Sequence, residues 1–153
     1  HFRWEEGRAH RDELDMLDTR LAGAPDCAWR VVTAHHPFAE VPGVEGAEPV
    51  RRADHALALF AKHDVSLMLS GHTHLGFVHP VPVDGDVILS VGAPTALSSR
   101  MRGEPNGYWL LDFEPDAVCL TLRSAPDGAY DDAHQRAFRW HRGAAEVETV
   151  MSA

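Results

Sequence analysis

The stretch Val65-Ser66-Leu67-Met68-Leu69-Ser70-Gly71-His72-Thr73-His74 decides the reading of this chain. Its apolar run has the length of a buried strand, and a glycine turn follows it. In an extended segment residues i and i+2 point to one side, so His72 and His74 are expected to project together. Gly71 is expected to take the positive φ that allows a close backbone approach. Upstream, Trp29 to Ala34 is a second apolar, β-branched run, read as a buried strand that ends in His35-His36-Pro37. Between the two, about Val50 to His63 reads as a helix with Ala53, Ala56, Leu57, Phe60 and Ala61 on one face. Strand, helix, strand at this spacing predicts a βαβ unit with two parallel, neighbouring strands. Parallel neighbours end side by side, which brings His35 and His36 close to His72 and His74. Open α/β sheets build their sites at such strand ends.

Outward from this unit, Leu14, Leu17 and Leu21 form one apolar stripe and predict a helix over about Arg8 to Leu21, stopped by Gly23 and Pro25. His35 to Pro49 is Pro/Gly-rich and reads as a loop long enough to be functional. After the turn, Phe77 to Val83, Val87 to Val91, Tyr108 to Phe113 and Ala117 to Leu122 read as short strands. Asp84-Gly85-Asp86, Pro105-Asn106-Gly107 and Glu114-Pro115-Asp116 separate them with turn chemistry. This half is expected to be an antiparallel meander. A further strand is expected near Phe138-Arg139-Trp140, and the polar tail to Ala153 is expected to fray. The expectation is an α/β chain, a βαβ unit followed by antiparallel strands, forming one domain over 1–153.

Composition narrows the function. The chain has 153 residues and a 44% hydrophobic fraction, enough for one cored domain. Its formal net charge of −9 argues against nucleic-acid polymers and anionic membranes, which attract basic surfaces. No apolar run reaches membrane-spanning length. Cys27 and Cys119 lack a short-spaced motif and read as reduced thiols, which implies the cytoplasm. The opening His1-Phe2-Arg3-Trp4 has no Met and no targeting pattern, so the chain is expected to be a piece of a longer protein.

Of the 11 histidines, His1, His10, His55, His63, His134 and His141 sit in helical or terminal polar contexts and read as exposed or hydrogen-bonded. His79, on the strand after the turn, reads the same way. The four loop histidines differ. A metal-binding imidazole must be neutral and fixed in direction, and a strand end fixes direction. Three histidines can hold one zinc-like ion and leave a position open.

The pair Val31-Val32-Thr33-Ala34-His35-His36-Pro37 and Leu69-Ser70-Gly71-His72-Thr73-His74 resembles the C-terminal half of calcineurin-like metallophosphoesterases. The resemblance is nearest to class III cyclic-nucleotide phosphodiesterases. Ser90-Val91-Gly92-Ala93-Pro94 and the segment on to Arg102, with Pro105-Asn106-Gly107-Tyr108, look like the same subgroup. It implies part of a four-layer sandwich and hydrolysis of a small phosphoester by a hydroxide activated between two metal ions, Mn, Fe or Zn. By this resemblance His35 and His72 bind one metal and His74 binds the other. His36, Arg100 and Arg102 are candidate substrate contacts, although the two arginines read more readily as solvent-facing residues of an edge strand.

None of the family's earlier motifs, Asp-x-His, Gly-Asp-x-x-Asp and Gly-Asn-His-Glu/Asp, precedes His35-His36-Pro37 in this chain. Glu40, Glu45, Glu48, Asp54, Asp84 and Asp86 have no spacing that would bridge two metals. The expectation is therefore one ion in this chain and no activity from it alone. An exposed edge where a missing half would pack leaves a dimer open. Two alternatives stand beside this reading. One is a degenerate, non-catalytic binding module of the same fold. The other is a single-metal His-x-His enzyme of unrelated type, disfavoured because Leu75-Gly76-Phe77-Val78 offers no acidic ligand.

Overall fold

A computed structural model of the chain describes residues 7–26, 29–43, 48–99, 103–130 and 133–151. The first helix, α1 (Arg11–Ala22), starts at Arg11 because Arg8 forms a parallel bridge with Arg51. The Arg51 N–H donates to Gly7 O and the Ala9 N–H to Arg51 O, so these groups are satisfied outside a helix. The His10 N–H donates to Glu13 Oε2 at 3.2 Å, and Asp12 and Glu13 sit at the positive end of the helix dipole. The second helix, α2 (Ala53–Lys62), also starts later than its apolar pattern suggests. Arg52 is left-handed at φ 67°, and the Val50 N–H is already bound to Pro37 O. Both facts keep residues 50–52 out of the helix.

The first sheet holds β1 (Val31–Ala34), β2 (Leu67–His74), β3 (Phe77–Val83) and β4 (Asp86–Pro94) in the order β1-β2-β4-β3. β1 and β2 are parallel, as the βαβ reading requires, with Ala34 beside Ser70. β1 is not a buried strand, however. It is an edge strand, and Val31 is 39% exposed on it. The expected meander also begins later. β3 and β4 form a hairpin through Asp84 (φ 51°) and Gly85 (φ 95°), a pair of left-handed residues suited to a type I′ turn. It is β4 that lies next to β2, and the two run parallel.

The second sheet is the meander proper: β5 (Asn106–Phe113), β6 (Ala117–Ala125), β7 (Gln135–His141) and β8 (Glu148–Met151), in chain order and antiparallel throughout. β8 lies in the tail that polarity alone marks for fraying. Backbone pairing with β7 holds it instead.

Two cores flank the first sheet. On one face Ala56 and Phe60 of α2 pack with Met68 and Ile88, and Leu14, Leu17 and Leu21 of α1 lean on the same cluster. On the other face Leu67, Leu89 and Val91 meet Val118, Leu120 and Trp140 of the second sheet. The Trp140 ring is fully buried, and its Nε1–H donates to Ala144 O at 2.8 Å. The result is an α/β chain with helix, sheet and sheet stacked in three layers. Among the described residues no helix covers the outer face of the second sheet. No helix there is long and apolar enough to cross a membrane.

Candidate metal centre

The site begins where β1 and β2 stop being regular. Their pairing continues one step past β1, with the Gly71 N–H donating to His35 O at 3.0 Å. On the other side of β2 the register changes. Ser70 lies opposite Gly92 and His74 opposite Pro94, four steps on β2 (70 to 74) against two on β4 (92 to 94). The surplus residues bulge out of the ladder. His72 (φ 61°) and His74 (φ 64°) absorb the bulge in the left-handed region. Gly71 was the residue expected to do so, yet it stays in the β1 pairing, and a Cβ there would meet only ordinary contacts at 3.8 Å. A left-handed conformation costs a side-chain-bearing residue about 1–2 kcal/mol. Strain of this kind persists where the surroundings enforce it and gathers at functional sites.

The bulge turns His72 toward the end of β1. His35, His36 and His72 each offer a ring nitrogen, and these nitrogens lie within 4.8 Å of one another. The His36 and His72 ring centroids are 4.1 Å apart. His35 stands edge-on to both, at 4.8 Å from His36 and 5.4 Å from His72. His36 is seated from behind by Gly7, where a Cβ would stand 2.7 Å from the ring Cγ and Nδ1. The bridge to Arg51 that delays α1 therefore also places the backbone that holds His36. Pro37, buried, anchors the loop after it, its carbonyl accepting from the Val50 N–H at 3.0 Å.

The sequence-predicted residues thus separate. The structure brings together His35, His36 and His72. His74 is itself the second left-handed residue of the bulge and lies outside that group. The i, i+2 argument assumed a straight strand, and the bulge removes that assumption. Arg100 and Arg102 lie outside the described residues, as does Glu45. His79 sits on β3 opposite Ser90. Asp84 and Asp86 lie at the other end of the first sheet, in the hairpin, and Asp54 pairs with His55 at 3.1 Å. Among the described residues no carboxylate joins the histidine cluster. The signal for His36 was in the sequence as an adjacent His-His before Pro, but nothing there ranked it beside His35.

The donor set fits a borderline cation. Imidazole suits Zn, Fe and Mn, and two nitrogens on a tetrahedral zinc stand about 3.3 Å apart for bonds of about 2.0 Å. Ring nitrogens already within 4.8 Å of one another are a small side-chain rotation from that spacing. Ser70 Oγ, one residue before Gly71, is buried without a hydrogen-bond partner among the described residues. Buried polar atoms are ordinarily satisfied, so this one calls for a water or ligand at the same end of the sheet.

No family model matches the chain, and no curated protein matches it. Among solved structures it is similar to wild-type Vps29 from Entamoeba histolytica complexed with zinc, at 17% identity and TM-score 0.39, over 69% of this chain and 52% of that one. It is also similar to a single mutant of Vps29 from the same organism, at 16% identity and TM-score 0.37, over 83% of this chain and 88% of that one. The chain spans about half the length of the first of these.

Proposed function

We propose that this chain is the C-terminal portion of a calcineurin-like metallophosphoesterase whose complete form hydrolyses a small phosphoester. The observation that carries the proposal is the convergence of His35, His36 and His72 at the ends of two parallel strands. Each would hold the ion through a neutral ring nitrogen, which requires that the ring be deprotonated and its direction fixed. The β1 end fixes His35, the Gly7 contact fixes His36, and the left-handed backbone fixes His72. A divalent cation so bound lowers the pKa of its water and offsets charge on a phosphoryl group. His74 is assigned to a second ion in the complete protein, and Arg100 and Arg102 to the phosphoryl oxygens. The reading of Cys27 and Cys119 as reduced thiols assigns the protein to the cytoplasm.

Among the described residues no carboxylate joins the cluster, which favours a second reading, a binding module of the same fold that takes up an ion and turns nothing over. One experiment addresses both. Titration of the chain with Co²⁺ or Zn²⁺ is expected to show about one site, lost in His35→Ala and His72→Ala. With Mn²⁺ and bis-p-nitrophenyl phosphate the chain alone is expected to be inactive. A longer protein carrying upstream carboxylate motifs is expected to turn the substrate over, and ion binding without turnover there would establish the module. A titration that is unchanged in the histidine variants would sink both readings.

A further inference from the structure

The link from β2 to β3 is short for the distance it crosses. Both strands flank β4, so their axes are two strand spacings apart, about 9.5 Å. From His74 to Phe77 there are three Cα steps, which reach about 11 Å at full extension. Leu75 and Gly76 therefore form a taut strap over the end of β4. A Cβ on Gly76 would stand 3.5 Å from Pro94 Cδ and 3.0 Å from Leu122 Cδ2, so the strap lies close on the chain beneath it.

An extended strap crossing over a strand end has no ladder partner for its own amide. The Gly76 N–H donates instead to Glu104 Oε2 at 2.7 Å. The other oxygen of Glu104 accepts from Arg136 Nη2 at 3.3 Å, on β7 of the second sheet. Glu104 comes from the connection between β4 and β5, 28 residues along the chain from Gly76. It is thus a fixed point outside the first sheet that holds the strap leaving the bulge.

We propose that Glu104 is a positioning residue for the histidine cluster: by holding the Gly76 amide it fixes the path of the strap and with it His72 in the left-handed geometry that faces His35 and His36. The bulge has surplus length and strained residues, so a strap that leaves it along another path would let His72 relax toward an ordinary strand conformation and turn its ring away. The inference rests on the metal-site reading for its effect on ion binding, but the placement of His72 is a property of the metal-free chain.

The test has two arms. In the metal-free chain, Glu104→Ala is expected to shift the His72 imidazole resonances and speed amide exchange at Gly76. Glu104→Gln keeps a carbonyl acceptor for the Gly76 N–H and is expected to restore both. A His72 resonance that stays in place in Glu104→Ala overturns the proposal. In the second arm Co²⁺ is titrated and its visible absorption followed. Glu104→Ala is expected to weaken binding about 10–100-fold, the usual range for a residue that orients a ligand, and Glu104→Gln by less than about threefold. Wild-type Co²⁺ affinity in Glu104→Ala, with binding lost in His72→Ala, overturns the proposal while the metal site stands. If His72→Ala leaves Co²⁺ binding unchanged, the metal site fails, and the resonance arm alone decides whether Glu104 places His72. Thermal unfolding of both variants separates these outcomes from loss of fold.

Discussion

The two sheets contain four strands each, and they treat backbone strain in opposite ways. Within and around the first sheet, left-handed φ values fall on Arg52, Asp64, His72, His74 and Asp84 as well as on glycines. Arg52, Asp64 and Asp84 mark helix ends and a hairpin, where aspartate in particular tolerates this region. His72 and His74 are different, because they lie inside a strand. In the second sheet and the connections leading to it, the described left-handed residues are Gly103, Gly128 and Gly143. The second sheet therefore has the residues its turns demand, and its inner face presents a large buried ring to the core. The first sheet keeps imidazoles where glycine would be easier. The difference teaches that the first sheet's end was shaped by something other than stability, whereas the second sheet serves as the wall behind it.

Removing that wall should have the largest effect. Trp140→Ala takes a fully buried ring from the sheet-to-sheet core and leaves a cavity, and is expected to cost about 3–5 kcal/mol in urea unfolding. If the loss is below about 1 kcal/mol, the second sheet is not the support described. A smaller and sharper test uses glycine in both directions. His72→Gly is expected to raise stability by about 1 kcal/mol while abolishing ion binding, because it relieves a strained conformation. Gly128→Ala meets no atom within 4 Å yet sits at φ 83°, so it is expected to lower stability by about 1 kcal/mol. Equal signs in the two variants would erase the contrast between the sheets.

The smallest effect is in acid. Asp18 on α1 accepts from Lys62 Nζ at 2.8 Å and pairs with His63 Nε2 at 2.5 Å, tying the two helices over the first sheet. Its carboxyl is held below the ordinary value, first by the hydrogen bond from Lys62 and then by that from His63. A lowered folded pKa means a contribution present above the ordinary carboxylate value of 3.8 and lost as the pH falls through the lower folded one. Glu114, paired with Arg139, is held down in the same sense and clasps the second sheet. Asp18→Asn is expected to flatten the dependence of the thermal midpoint on pH below about 4. The slope that remains would come in part from Glu114. An unchanged slope in Asp18→Asn would show that the helix layer is not held by this pair.

Much of this architecture was legible because it depends on local periodicity. The apolar face of α2 and the β-branched run of β1 sufficed to predict the βαβ unit, and Asp84-Gly85 announced its own hairpin. Both helices start three residues later than their periodicity predicts, since Ala9, Val50 and Arg51 have their amide or carbonyl groups bound to segments distant in sequence or across the loop. No local pattern reports such partners. β8 was missed for a related reason: a polar strand on an edge is stabilised by backbone pairing, which leaves no mark in its hydropathy.

For the site, the residue types and their delivery to one sheet edge follow from the sequence alone. Histidines that end two parallel neighbouring strands must come close, because chain connectivity and handedness leave them little choice. Which of those histidines meet was decided only in three dimensions. A mismatch of two residues between β2 and β4 creates the bulge, His72 on the bulge joins His35 and His36, and Gly7 packs against the His36 ring. Glu104, which shares no motif with any of them, accepts from the Gly76 N–H that follows the bulge. Spacing along a strand predicts direction only while the strand stays regular, and regularity is settled by its neighbours' registers rather than by its own residues.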